Sequence, residues 1–328
     1  MIELDAPVVQ APMAGGPSTA ELAAAVSNSG GLGFVSGGYL SAAGLADLIA
    51  RTRALTDRPF GVNLFVVVEQ PVDESAIASY ARELTEDARR LDVELGEPRF
   101  DDDQLEAKLA EVVSARVPVV STTFASPPED LVASVHGYGG EVWATVTSPA
   151  EATLATRTGA DALVLQGAEA GGHRGSFDDD EGHDLSLGDL LRDVDVRIPL
   201  VAAGGIADAH DAARALELGA TYVQAGTAFL LAPEAGTSSP HRNALGRAGE
   251  TATTRAFTGR RARGIVNGFM RAHENAPQGY PQIHHLTAPL RAKARAAGDA
   301  DHINLWAGVN YRRTVARPAA ETVAQLRP

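Results

Sequence analysis

The chain has 328 residues, of which 45% are hydrophobic, and its formal net charge is -14. This length allows one large α/β barrel with an appendage or two domains, and the acidic balance argues against a non-specific nucleic-acid binder, which needs a basic face. Because the chain contains no cysteine, disulfides, thiolate nucleophiles, iron–sulfur clusters and zinc–thiolate sites are excluded.

The N-terminal residues lead directly into a strand-like segment. They lack the basic and apolar regions of a signal peptide, and no apolar stretch along the chain is long enough to span a bilayer. We therefore expect a soluble cytoplasmic protein that does not bind membranes or nucleic acid. A homo-oligomer is compatible with the sequence.

Three segments repeat the order of helix cap, helix, glycine and short apolar strand. Ser18-Thr-Ala-Glu21 is a capping box, followed by a stop at Gly30-Gly31 and a strand-like run at 33–36. Segments that begin at Ser148 and Asp208 repeat this order. Strands that are apolar throughout are typical of a parallel sheet covered by helices on both faces.

Eight strand candidates follow one another along the chain. They are residues 8–13, 33–36, 60–65, 117–121, 142–146, 162–166, 199–202 and 222–226. Helices between successive strands imply a parallel order, so the sequence predicts an α/β fold of the TIM type, a (β/α)8 barrel.

Two segments depart from this repeat. Residues 70–116 are rich in Asp, Glu and Arg, and we interpret them as an insertion of one or two solvated helices after the third strand. From about residue 250 no further βα unit follows. We therefore predict a barrel over residues 1–249 and a C-terminal lid or small subdomain over residues 250–328 that packs over the barrel mouth.

Glycine-bearing motifs follow the seventh and eighth strands, at Ala203-Gly-Gly-Ile206 and Gln224-Ala-Gly-Thr227. In barrels, the loops after these strands often form a phosphate site, because free backbone N–H groups and a helix dipole converge on an anion. Thr227 can add its hydroxyl. Rossmann and P-loop fingerprints are absent, so we predict a phosphate-bearing cofactor that lies across the barrel mouth.

Side chains at three other strand ends suit the same cofactor. The amides of Asn63 and Gln166 both donate and accept hydrogen bonds, as the pyrimidine edge of a flavin or a substrate requires. Met13, in the turn after the first strand, can pack its thioether against a planar ring, and core packing explains it equally well.

One histidine differs from the others by its position in the chain. His173 lies in a glycine-rich loop directly after the sixth strand, where parallel α/β proteins carry out their chemistry. It is a candidate general base or substrate-orienting residue. We interpret the remaining histidines, including the adjacent pair His284-His285, as surface or capping residues.

Acidic runs at 101–103 and 178–181 are interpreted as solvated carboxylates. No metal site is predicted.

Together these motifs resemble those of the nitronate monooxygenases, formerly called 2-nitropropane dioxygenases. The resemblance extends over nearly the whole chain. It implies a TIM barrel that binds FMN without a covalent bond and oxidises alkyl nitronates, such as propionate 3-nitronate, with O2 to a carbonyl product and nitrite. The motifs are Ala11-Pro-Met-Ala-Gly-Gly16, Gly30-Gly-Leu-Gly33, Phe60-Gly-Val-Asn63, Gln166 through His173, Ala203-Gly-Gly-Ile206, Gln224-Ala-Gly-Thr227 and Leu305-Trp-Ala-Gly308.

The resemblance also assigns roles to residues. It implies that His173 is catalytic, lying near the flavin and the substrate, and that Tyr280 and Trp306 line the substrate pocket. With Met13 and Gly204 added from the strand-end motifs, the predicted FMN-binding residues are Met13, Asn63, Gln166, Gly171, Gly204, Gly205, Gln224, Gly226 and Thr227.

Two alternatives stay open. An NAD(P)H-dependent flavin reductase of the enoyl-acyl carrier protein or quinone type has similar Gly-Gly-His and Ala-Gly-Gly-Ile motifs, and a non-catalytic flavin-binding barrel would also keep the glycines. The distal motifs, Arg261 through Asn267, Tyr280-Pro281 and Leu305 through Gly308, favour the monooxygenase. Val309 follows Gly308 where the family often has glutamine, which departs from the family pattern at the substrate end.

Overall fold

A sheet of eight parallel strands forms the centre of the protein, whose computed structural model describes residues 1–179 and 184–328. The strands are β1 (Val8–Gln10), β2 (Gly33–Ser36), β3 (Phe60–Phe65), β4 (Val119–Thr123), β5 (Glu141–Val146), β6 (Ala162–Gln166), β7 (Gly172–His173), β8 (Leu200–Ala203), β9 (Tyr222–Ala225), β10 (Thr251–Thr254) and β11 (Ala262–Ile265). The order in the central sheet is β1-β9-β8-β6-β5-β4-β3-β2, and β7, β10 and β11 form a second, antiparallel sheet.

The central sheet closes between its first and last members. Leu32 N–H donates to the Val8 carbonyl at 3.0 Å, and Gln10 N–H donates to the Leu32 carbonyl at 2.9 Å. The predicted TIM barrel is therefore confirmed, and each of its eight strands overlaps one of the eight predicted segments, with bounds that differ by up to three residues. Inside the barrel, large side chains such as Phe34, Trp143 and Val164 fill the space between the strands, so the interior is a packed core.

Helices surround the barrel and cover its outer face, where two clusters of buried aliphatic side chains lie. The helices are α1 (Ala20–Asn28), α2 (Ala42–Leu55), α3 (Glu74–Glu83), α4 (Thr85–Arg90), α5 (Leu105–Ser114), α6 (Glu129–His136), α7 (Pro149–Arg157), α8 (Leu187–Asp193), α9 (Ala209–Glu217), α10 (Ser239–Leu245), α11 (Gly268–Ala272), α12 (Gln282–Ala297) and α13 (Ala319–Leu326), with short 3-10 helices at Thr227–Phe229, Ala300–His302 and Tyr311–Arg313.

The N-cap of the first helix is one residue later than predicted. Thr19, not Ser18, caps α1, and its hydroxyl accepts the N–H of Leu22 at 3.0 Å. The hydroxyl of Ser18 instead accepts the N–H of Met13 at 2.8 Å, which fixes the turn after β1. Ser148 and Asp208 cap α7 and α9 as predicted.

The predicted insertion after β3 contains three helices. The last of them, α5, buries Val112 against the barrel beside Val117 and Val120, so it is the barrel helix between β3 and β4. In contrast, Tyr80 of α3 and Leu84, which joins α3 to α4, are buried against residues of the C-terminal segment. The inner face of this helix pair is therefore packed, not solvated as the composition suggested.

The C-terminal segment contacts the barrel at more than one place. Its last helix, α13, packs Val323 and Leu326 into the same cluster as Leu22 of α1 and Ala212 of α9. Strand β11 pairs with β7, so that Ala262 lies opposite His173. This small sheet was not predicted, and it joins the loop after β6 to the C-terminal segment. The boundary at residues 249 and 250 stays a prediction.

Candidate active site

A cavity of about 420 Å³ opens at the carboxyl ends of the barrel strands, which is within the usual range for a small-molecule site. Residues from the strand-end loops and from the C-terminal segment line it. Eleven of the twelve predicted site residues are among them: Met13, Asn63, Gln166, Gly171, His173, Gly204, Gly205, Gln224, Gly226, Thr227 and Trp306.

Tyr280, the twelfth residue, lines two smaller neighbouring cavities. Its ring centroid lies 5.9 Å from that of His173.

Two loops, Gly204-Gly205 after β8 and Gly226-Thr227 after β9, present backbone donors to the cavity; we call them the glycine loops. Within the described residues, the N–H groups of these four residues donate no hydrogen bond. The backbone of Gly204 and Gly205 has φ of +114° and +73°, a region that L side chains rarely adopt. Because free N–H groups at such turns attract oxyanions, the glycine loops are suited to a phosphate.

The C-terminal segment packs directly on the glycine loops. Gly308 N–H donates to the Thr227 hydroxyl at 3.0 Å, and the side-chain amide of Asn310 donates to the Gly205 carbonyl at 2.6 Å. A Cβ at Gly171 would lie 2.4 Å from the Ala307 carbonyl carbon, so only glycine permits this approach. The departure at Val309 leaves a side chain that is 41% exposed, while its neighbour Asn310 holds the loop.

The three predicted amides differ in how they are used. Gln224 makes no side-chain hydrogen bond within the described part of the chain and is free for a ligand. The Asn63 amide donates to the hydroxyls of Ser121 at 2.9 Å and Thr123 at 3.0 Å, which leaves its oxygen as an acceptor. Gln166 has a structural role as well, because it binds the loop that carries His173.

The side chain of Gln166 fixes that loop at two points. Its amide donates to the His173 carbonyl at 3.0 Å, and its oxygen accepts the Gly175 N–H at 2.9 Å. Arg174 adds a third contact by donating to the Gly167 carbonyl at 2.7 Å. The position of His173 is thus determined by β6 and its own loop as well as by β11.

His173 is surrounded by aromatic rings. The ring centroids of Phe124, Tyr280 and Trp306 lie 5.8, 5.9 and 5.6 Å from that of His173. Tyr39 and His284 belong to the same group of rings, since His284 lies 6.4 Å from Tyr280 and stacks on Tyr39 at 4.1 Å. We call these six residues the histidine cluster: Tyr39, Phe124, His173, Tyr280, His284 and Trp306.

Hydrogen bonds determine which nitrogen of His173 carries the proton. Nε2 lies 2.9 Å from the Thr258 hydroxyl oxygen, and that hydroxyl donates to the Arg260 carbonyl at 3.2 Å. We assign the single Thr258 hydroxyl proton to that carbonyl, so the Thr258 oxygen accepts Nε2–H and Nδ1 keeps a lone pair. No partner of Nδ1 lies among the described residues.

The surroundings of His173 keep the imidazole neutral. Burial, followed by the positive charges of Arg260 and Arg291, lowers its pKa to about 3. The ring is therefore unprotonated near neutrality with its Nδ1 lone pair free, and the same burial and positive charges make it a weak base until an anion is bound beside it.

Two residues of the histidine cluster have unusual backbone conformations. Tyr39 and Phe124 have φ of +67° and +85°, which costs about 1–3 kcal/mol each in non-glycine residues. Asp103 compensates at one of them, because its carboxylate accepts the Tyr39 N–H at 3.0 Å. The guanidinium of Arg260 lies 4.2 Å over the ring of Phe124.

Asp103 corrects one prediction for the acidic run 101–103. Its side chain is only 12% exposed and lies 2.7 Å from the ammonium of Lys108, whose side chain is 1% exposed. Burial raises the pKa of Asp103 to about 6, and the hydrogen bond and charge of Lys108 oppose that shift. In the second acidic run, Asp179 binds Arg255 at 3.1 Å, and positions 180 and 181 lie outside the described residues.

His284 corrects a second prediction. The sequence predicts a surface or capping residue, but His284 lines the cavity and stacks on Tyr39. His241, His273 and His302 are buried, whereas His183 lies outside the described residues. Helical spacing from His284 to Ala288 and Arg291 was the available signal, because all three residues lie on one face of α12 and line the cavity.

The basic stretch from Arg255 to Arg263 is used within the protein. Arg263 donates to the Ala168 carbonyl at 2.9 Å and Arg260 donates to the Arg174 carbonyl at 3.2 Å, so both hold the loop after β6. Among the helices of the described part of the chain, none is long and apolar enough to cross a membrane.

Known proteins are similar to this chain in sequence and in fold. The family model described as nitronate monooxygenase matches residues 1–328. A probable nitronate monooxygenase from Staphylococcus aureus (strain Newman) is 37% identical over 337 residues, which cover 99% of this chain and 94% of that protein.

Solved structures agree with the family match. A nitroalkane oxidase from Streptomyces ansochromogenes is 45% identical and superposes with a TM-score of 0.95, covering 98% of this chain and 95% of its own. FabK from Thermotoga maritima is 26% identical with a TM-score of 0.76, covering 98% and 92% of the two chains. The chain belongs to the nitronate monooxygenase family and is an oxidoreductase.

Proposed function

We propose that this chain oxidises alkyl nitronates, such as propionate 3-nitronate, with O2 on non-covalently bound FMN, giving a carbonyl product and nitrite. The observation that carries the proposal is a neutral histidine with a free ring nitrogen, in the same cavity as two loops of uncommitted backbone N–H groups. Family membership and the likeness to a nitroalkane oxidase support this chemistry.

The residues present fit FMN. The glycine loops offer four free N–H groups and the Thr227 hydroxyl for a phosphate, as one terminal phosphate requires. Gln224 and the Asn63 oxygen supply a free amide and an acceptor for polar edges of the cofactor, and Met13 lies at the wall of the cavity. Membership of a flavoenzyme family supports a flavin, and FMN supplies electron transfer and reaction with O2 when bound.

The protein side of the chemistry centres on His173. Its Nδ1 lone pair accepts a proton from the carbon of a neutral nitroalkane and so produces the nitronate in the site. The guanidinium groups of Arg260 and Arg291, whose charges oppose protonation of His173, favour the nitronate anion that this step creates, and the anion in turn stabilises the imidazolium beside it. Phe124, Tyr280 and Trp306 exclude water around the reacting group.

Anaerobic reduction of the flavin tests the proposal. Purified holoprotein is mixed without oxygen with propionate 3-nitronate, NADH or NADPH, and the flavin absorbance is followed. We expect rapid bleaching by the nitronate and little by either nucleotide. The outcome that would contradict the proposal is rapid bleaching by a nucleotide with no response to the nitronate, which indicates the reductase alternative.

A flavin that no donor bleaches would instead favour a non-catalytic flavin-binding barrel. The family comparisons favour the nitronate reaction over both alternatives.

A further inference from the structure

A second histidine, His284, lies in the wall of the cavity. It is near the N-terminus of α12, which begins at Gln282, and its ring lines both the main cavity and a neighbouring cavity of about 200 Å³. The ring is stacked on Tyr39 with an interplanar angle of 6°. This stacking fixes the plane of the imidazole.

Arg291 fixes the proton on that imidazole. Its Nη2 lies 3.2 Å from Nδ1 of His284 and donates to the His284 carbonyl at 3.0 Å, while its Nε donates to the Thr287 hydroxyl at 3.0 Å. A guanidinium has donors and no acceptor, so Nδ1 of His284 must accept. The ring proton is therefore on Nε2.

The Nε2–H group of His284 has no partner among the described residues. Burial, with the charge of Arg291 as the second cause, lowers the pKa of His284 to about 2, so the ring stays neutral. A neutral ring with a fixed tautomer is a permanent donor.

The two histidines of the cluster are therefore complementary. His173 keeps a lone pair on its free nitrogen because Thr258 accepts its proton, and His284 keeps a proton on its free nitrogen because Arg291 occupies the other. Both rings lie beside Tyr280, with ring centroids 5.9 Å (His173) and 6.4 Å (His284) from that of Tyr280.

We propose that His284 is a substrate-binding residue, which donates its Nε2–H to an oxygen of the nitro or nitronate group, with Arg291 as the positioning residue. The inference rests on the proposed function and goes beyond it by assigning the donor for the nitro oxygens. His173 removes the proton from carbon, and His284 holds the oxygen on which the negative charge then develops.

The test compares two replacements of His284 in the holoprotein. His284→Phe keeps a flat ring against Tyr39 without a donor, and His284→Gln keeps an N–H donor near the position of Nε2. Nitrate serves as the unreactive probe, because it is a planar anion with oxygens placed as in a nitronate. Its dissociation constant is measured from the change in the flavin absorbance, and KM and kcat are measured with propionate 3-nitronate.

We expect nitrate to bind about 10- to 100-fold more weakly to His284→Phe, as for the loss of a hydrogen bond to a charged group. KM for the nitronate should rise by the same factor with kcat changed much less, and His284→Gln should stay within about fivefold of the wild type. His285→Phe is the matched control, since the neighbouring ring contacts Asp101 at 3.5 Å and should leave both constants unchanged.

Unchanged nitrate binding in His284→Phe would overturn the inference, as would equal losses in the Phe and Gln variants, which would mean that the ring acts by packing alone. The nitrate comparison does not depend on turnover. A wild type that binds nitrate but whose flavin is not reduced by nitronate would refute the proposed function. The nitrate affinities of the His284 variants would still test whether His284 donates a hydrogen bond to the anion.

Discussion

The glycine loops and the histidine cluster build the same cavity in different ways. The glycine loops use backbone N–H groups that follow two adjacent barrel strands, and the loop after β8 needs glycine because Gly204 and Gly205 adopt positive φ. The histidine cluster uses side chains from residues 39 to 306, brought together by the barrel, by α12 and by the small antiparallel sheet. The backbone site can thus be predicted from a few consecutive residues, whereas the side-chain site depends on packing between residues that are distant in the chain.

Among substitutions in the histidine cluster, replacement of the proposed base should lower turnover the most. In His173→Ala we expect kcat/KM for a neutral nitroalkane to fall about 100- to 10,000-fold, the usual contribution of a general base. Turnover with oxygen uptake is the measurement, and the flavin content of the variant is the control. A variant that retains FMN together with wild-type turnover would refute the catalytic role.

Backbone strain in a glycine loop should weaken FMN binding instead. In Gly205→Val, a side chain at φ of +73° should weaken FMN binding by about 10- to 100-fold, measured by fluorescence titration of the apoprotein. Gly219→Val is the matched control, because its φ is +100° but it lies at the opposite end of the barrel, before β9. Equal losses of FMN affinity in both variants would mean that general destabilisation, and not the phosphate site, is responsible.

Substitution of Thr258 should lower the rate that depends on His173 without changing FMN affinity. Thr258→Val removes the acceptor of His173 Nε2–H, so we expect kcat/KM for a nitroalkane to fall about 10-fold, as for one buried hydrogen bond. Thr258→Ser should restore most of the rate, and FMN affinity should not change in either variant. A serine variant as slow as the valine variant would contradict this positioning role.

Acid should destabilise the protein through the histidines of the cavity. Burial lowers the pKa of His173 to about 3, of His241 to about 4 and of His284 to about 2. The unfolded chain binds these protons near pH 6.5 and the folded chain does not, so the free energy of unfolding falls as pH drops below 6.5. Each histidine contributes about 1.4 kcal/mol per pH unit in that window.

Asp103 acts with the opposite sign in part of the same window. Its pKa is raised to about 6 in the folded chain, against about 4 in the unfolded chain. The folded chain therefore binds this proton first, and the contribution of Asp103 to the free energy of unfolding rises as the pH falls from about 6 to about 4. Urea unfolding at pH 7 and pH 5 measures the sum, and His284→Gln should show a smaller loss between these values than the wild type. An equal loss in both proteins would show that His284 is protonated in the folded state.

Much of the site could be predicted because barrel geometry converts sequence order into position. A residue at the end of a parallel strand lies at the mouth of the barrel whichever strand it follows, so the positions of Asn63 and Gln166 at the cavity could be predicted from short apolar runs, whereas Gln224 was assigned through the family resemblance. The position of His173 could be predicted from such a run as well. The side-chain bonds of Gln166, which point back to the His173 loop, were not visible in that pattern.

The predictions for His284 and Asp103 were wrong because a histidine on a helix and an aspartate in an acidic run are usually solvated. Nothing near His284 in sequence indicates Tyr39, whose ring it meets only after α12 packs on the barrel. Lys108 lies five residues after Asp103, but only the folded insertion buries the ammonium and brings it to 2.7 Å from the carboxylate.

The sequence by itself determined the barrel, its eight strands and the glycine loops, because hydrophobic runs, caps and glycines act over a few residues. Only the tertiary structure decided which nitrogen of each histidine carries a proton. Those tautomers depend on Thr258 and Arg291, and a hydrogen bond between side chains distant in the chain exists only after the surrounding helices and strands have packed.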